Sequence, residues 1–75
     1  MGLPYALFVA GNKNTLLSLW PVDDDATAEF MRRFFTQIKS GSSQSDALRN
    51  TKLEFMHHPK WSDPRYWAAF VLYGV

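Results

Sequence analysis

The segment Thr15 to Thr27, TLLSLWPVDDDAT, constrains the fold of this chain more than any other. Apolar or β-favouring residues from Thr15 to Trp20 run straight into Pro21, and Asp23, Asp24 and Asp25 then lead into an amphipathic stretch. This pattern predicts a buried strand, a proline stop and a helix start. In an open α/β sheet, ligands bind outside the carboxyl ends of the strands, where the chain turns into the next helix. Trp20 and the aspartates stand at such a point.

The helix that follows is predicted from Ala26 to Ser40. Phe30, Met31, Phe34, Phe35 and Ile38 fall on one face, and Glu29, Arg32, Arg33, Gln37 and Lys39 on the other. Asp24 or Asp25 is placed to cap its first amides, and Lys39 and Gly41 are closing signals. The doublet Arg32 and Arg33 reads as a solvated helix face. A polar link, GSSQS, then offers Ser43 with Asp46 three residues on, a capping pattern that predicts a second helix ending before Pro59. Its expected buried face is Ala47, Leu48, Thr51 and Phe55, with Leu53 off the stripe. The run Tyr66 to Tyr73, YWAAFVLY, predicts a strand covered on both faces, with Trp67 near its start. At the other end, Gly2 to Gly11 reads as a short helix with Pro4 in its first turn and Gly11 as its stop, a buried strand being the alternative that shows a similar pattern, and Asn12 to Asn14 as a polar turn.

The connectivity follows from these elements. Two antiparallel helices between two strands return the chain to the end it left, so the last strand is expected to run antiparallel to the first. Two strands do not make a stable covered sheet, and one edge of the Thr15 strand is therefore expected to take further strands, from other sequence or from a second copy. Composition points the same way. At 75 residues with no cysteine, 47% apolar and 16% aromatic residues, the chain has no covalent brace and much surface to bury.

Eight Lys+Arg against seven Asp+Glu, mixed along the chain, show no clustered basic face, so no nucleic-acid partner is expected. No apolar run approaches the roughly 20 residues of a membrane helix, and the N-terminus lacks the basic leader of a signal peptide. No membrane partner and a cytoplasmic location are expected. His57 and His58 are helix neighbours that point in different directions, with no third ligand evident, so neither a metal nor any other cofactor is expected.

The ordered segments G-L…A-G, S-L-W-P-V-D-D-x-A-T-A-E-F-M-R-R-F, G-x-S…A-L and W-x-x-P-x-Y-W-A-A-F-V-L-Y-G resemble the C-terminal part of a CHAT domain. This is a caspase-like peptidase family, in the clan of caspases and separases, often fused to TPR repeats. The resemblance spans Gly2 to Gly74. It implies an α/β fold, the C-terminal part of a caspase-like sheet sandwich in the order helix-strand-helix-helix-strand with the last strand antiparallel, comparable to a caspase small subunit. It implies that residues 1–75 are a partial domain whose catalytic histidine and cysteine are carried by an upstream half. No catalytic residue is therefore expected here, since the mechanism needs a thiolate activated by a base. The resemblance also implies a substrate-binding role for the segment after the strand. There Trp20, Asp23 and Asp24 would wall an S1 pocket, with Asp24 the best match for the acid that receives a basic P1 side chain and Asp23 the second. A carboxylate is a good bidentate partner for a guanidinium. The expected partners are that upstream half, a peptide substrate in the complete domain, or, in the alternative reading of a non-catalytic interaction module, a second copy paired through strand edges.

Overall fold

The computed structural model describes residues 14–74 in full and residues 6–9 by backbone alone. Its elements are β1 (Ala6–Val9), β2 (Asn14–Ser18), α1 (Asp24–Lys39), α2 (Gln44–Met56), a single 3-10 turn (Pro64–Tyr66) and β3 (Phe70–Gly74). The three strands form one sheet in the order β1-β2-β3, antiparallel throughout. The α/β class and the strand-helix-helix-antiparallel strand order expected from the sequence are present.

Several local expectations change. Within the segment expected to open with a helix, Ala6–Val9 is a strand, paired Ala6 to Ser18 through Val9 to Thr15; the rest of that segment, and Asn12 and Lys13 of the polar turn, lie outside the described residues. A short apolar run fits either state, and the neighbouring edge of β2 decides between them. The same pairing closes the β2 edge that was expected to take strands from elsewhere. The final strand is shorter than expected, because Asp63 caps a 3-10 turn through Arg65 N–H (3.0 Å) and the chain turns again through Trp67 before β3 begins at Phe70. Trp67 accordingly lies outside the strand, its indole N–H donating to Ser62 O at 3.2 Å. Nor is β3 covered on both faces, as Tyr73 is 59% exposed.

α1 forms where expected, but its cap is Asp23. Oδ2 of Asp23 accepts from the N–H groups of Asp25 (3.1 Å) and Ala26 (3.3 Å), leaving Asp24 and Asp25 in the first turn, where the positive end of the dipole favours them. The cap therefore falls one residue before the first of the two expected, and the helix begins at Asp24, two residues before Ala26. At the other end Gly41 adopts φ +104°, a conformation that costs a side-chain-bearing residue. The Ser42 N–H then reaches Gln37 O and the Gly41 N–H reaches Ile38 O, each at 3.1 Å, the two bonds of a Schellman stop. Ser43 caps α2 by accepting from Asp46 N–H at 3.2 Å.

Both helices bury most of their apolar stripes against one face of the sheet, with Phe35 of α1 left exposed. Phe30 and Phe34 from α1, Ala47 and Phe55 from α2, Leu16 from β2 and Phe70 from β3 are fully buried in one cluster with Ala26 and Trp61. Phe30 stacks on Phe70 with centroids 4.2 Å apart and meets Phe55 edge-on at 5.1 Å, and Phe55 stacks on Trp61 at 5.8 Å. Each such ring contributes about 2 kcal/mol by burial alone. Thr51, also fully buried, donates its hydroxyl to Ala47 O at 2.7 Å, which satisfies it within the helix. Leu53 is exposed, as its place off the stripe requires.

The arginine doublet does more than solvate a face. Arg32 and Arg33 both bind Glu29, and Arg33 also reaches Glu54 of α2 at 3.0 Å while its guanidinium lies 5.9 Å from the Phe55 ring centre. Gln37 donates to the second oxygen of Glu54 at 3.1 Å. Hydrogen bonds first from Arg32 and then from Arg33 lower the Glu29 pKa to about 2. This polar network ties α1 to α2 above the aromatic core.

Candidate functional site

The chain leaves the sheet at the carboxyl end of β2, and its backbone there is held from two sides. Leu19 N–H donates to Ala69 O at 2.9 Å, extending the ladder one residue past Ser18. The buried Ser18 hydroxyl donates to Trp20 O at 2.6 Å, which turns the chain toward Pro21. Trp20 is thereby left 39% exposed, and its indole N–H donates to Arg65 O at 3.3 Å.

Between these segments lies a cavity of about 310 Å³ lined by Trp20, Pro21, Val22, Asp23, Arg65 and Tyr66. Of the three residues expected to bind substrate, Trp20 and Asp23 line it, and Asp24 stands next to it in the first turn of α1, outside the lining. The acids divide their work. Asp23 is engaged through Oδ2 in the helix cap, whereas Asp24 is exposed and its carboxylate makes no hydrogen bond or ion pair among the described residues.

The opposite wall is one that sequence reasoning missed. Arg65 Nη2 donates to the Tyr66 hydroxyl at 3.0 Å, its guanidinium sits 4.9 Å from the Tyr66 ring centre, and its Nε is 3.9 Å from Asp63 Oδ2. Arg65 and Tyr66 are more than forty positions from Trp20 in sequence, and only the antiparallel return of β3 brings them across. The cavity therefore carries an aromatic wall, a carboxylate at a helix N-terminus and a guanidinium opposite it.

Among the described residues, no group of three or more His, Cys, Asp or Glu is placed to hold a metal ion. His57 donates from Nδ1 to Leu53 O at 2.8 Å and closes α2, and His58 Nδ1 accepts from Lys60 N–H at 3.1 Å. No helix among the described residues is long and apolar enough to cross a membrane.

Fold and cavity together define an α/β unit with a ligand-sized cleft at the carboxyl end of its central strand. The CHAT domain family matches residues 1–75, and the chain belongs to that family. It is similar to tetratricopeptide repeat protein 28 of Homo sapiens, at 32% identity over 74 residues, and to tetratricopeptide repeat protein 28 of Mus musculus, at 30% over 74 residues. Each alignment covers 99% of this chain and 3% of the relative, so the chain spans a small fraction of the length of these relatives. No solved structure matches it.

Proposed function

We propose that this chain is the C-terminal portion of a CHAT caspase-like cysteine peptidase domain, acting in the cytoplasm, and that it supplies one wall of the S1 pocket. The observation that carries the proposal is the cavity beyond β2, walled by Trp20 and Asp23 with the unpaired carboxylate of Asp24 beside it. A basic P1 side chain would lay its stem along the Trp20 ring and direct its charged end to the acids, Asp24 accepting while Asp23 keeps the helix capped. Backbone groups of Ser18 to Val22 would pair with the extended substrate by β-addition.

The chain contains no cysteine, so it provides no thiolate of its own and depends for chemistry on a partner half carrying the nucleophile and its base. The test combines activity with binding. The purified chain is expected to leave basic-P1 peptides uncut with or without thiol, while N-acetyl-arginine amide quenches Trp20 fluorescence with a dissociation constant in the millimolar range. Asp24→Asn is expected to weaken that binding about fivefold, the loss of one solvent-exposed ion pair. Thiol-dependent cleavage by the chain alone, or equal binding of N-acetyl-leucine amide, refutes the reading.

A further inference from the structure

The far edge of the sheet offers a second surface, remote from the cleft. β3 is an outer strand with no partner beyond it among the described residues. The Leu19 to Ala69 hydrogen bond sets the alternation of the ladder, so that Val71 and Tyr73 exchange bonds with β2 and Leu72 turns its N–H and C=O outward. Beside this open edge runs a groove of about 420 Å³, floored by Val71 and Leu72 and walled along α2 by Ser45, Leu48, Arg49 and Lys52. Unlike the doublet on α1, these two cations make no ion pair among the described residues. Burial alone lowers the pKa of Lys52, with no anion to oppose it.

We infer that this edge receives an extended acidic segment of a partner protein, added as a fourth strand against β3. Its backbone would satisfy Leu72, and its acidic side chains would meet Arg49 and Lys52. The spacing suits that chemistry. Arg49 and Lys52 stand three residues apart on one helix, about 5–6 Å between their Cβ atoms, and side chains two apart on a strand lie about 7 Å apart on one face. Acids at alternate positions therefore align with the two cations, while the intervening side chains continue the other face beside Val71 and Tyr73, where apolar residues fit. A second copy of this chain is a poor occupant. Antiparallel pairing of β3 with its own copy sets both α2 helices on the same face of the joined sheet, bringing Arg49 and Lys52 against their like-charged counterparts.

The experiment uses the full 15N-labelled chain and a blocked heptapeptide alternating glutamate and valine. Binding is expected to protect the Leu72 amide from hydrogen exchange and to shift the Arg49 and Lys52 resonances, while the lysine-valine counterpart binds at least tenfold more weakly. In the double variant Arg49→Glu and Lys52→Glu, whose side chains lie outside the aromatic core, this preference is expected to reverse in favour of the lysine peptide. Three results overturn the inference: no Leu72 protection by the acidic peptide, equal affinity for both peptides, or protection of Leu72 by self-association before any peptide is added. None of these bears on arginine binding at Trp20, so the two readings fail separately.

Discussion

The two faces of the sheet are built from alternate residues of the same strands, yet they end in different environments. On β3, Phe70 is fully buried beneath the helices and Tyr73, three residues on and on the other face, is largely exposed. On β2, Leu16 joins the aromatic cluster and its neighbour Leu17, though buried, does not. The contrast teaches where the stability of this chain resides. One face is closed by its own two helices, whereas on the other Tyr73 stays open at the end of β3.

That comparison can be broken most sharply at Phe30, which contacts rings from α2 and β3 together. Phe30→Ala is expected to cost about 3–5 kcal/mol, against the roughly 4–11 kcal/mol that about 0.05–0.15 kcal/mol per residue allows a domain of this size. Urea unfolding measures it, and a loss below about 1 kcal/mol would show that the helices do not close this face.

The Glu29 network above the same face gives a smaller and pH-dependent effect. The carboxyl pKa in the folded chain, about 2, lies below its ordinary value of 4.5. The network therefore stabilises the fold above that ordinary value, and its contribution is lost as pH falls through the folded pKa. Because Glu29 stays partly exposed to solvent, the effect is expected to be about 1 kcal/mol, well short of the full linkage of the shift. Denaturation midpoints of the unmodified chain and of Glu29→Gln are expected to differ near neutral pH and to converge toward about pH 2. A gap that stays constant across that window would assign the stabilisation to packing instead.

The smallest effect belongs to the open face. Tyr73→Thr keeps a β-favouring side chain and is expected to change stability by no more than about 0.5 kcal/mol. A loss above about 1.5 kcal/mol would mean that this face is packed as firmly as the other.

The two helices, the cap of α2 and the stop of α1 were legible because their signals are local. The phenylalanine stripe of α1, the Ser43 cap and the Gly41 stop each depend on residues within a turn or two, and periodicity alone reveals them. That Trp20 stands at the carboxyl end of β2 was equally readable, since Pro21 ends the run of strand-favouring residues, although the strand stops at Ser18 and not at Trp20 as the run suggests.

Tertiary structure decided the rest. Ala6–Val9 suits a helix or a strand in isolation, and becomes a strand because β2 presents an edge whose hydrogen bonds need a partner. Among three adjacent aspartates no local pattern singles out Asp23 as the cap; its backbone in the folded chain, outside the helical region at ψ 139°, does. Arg65 and Tyr66 join the cleft only through the return of β3, a pairing between distant segments whose register depends on the whole ladder and leaves no trace in either stretch of sequence.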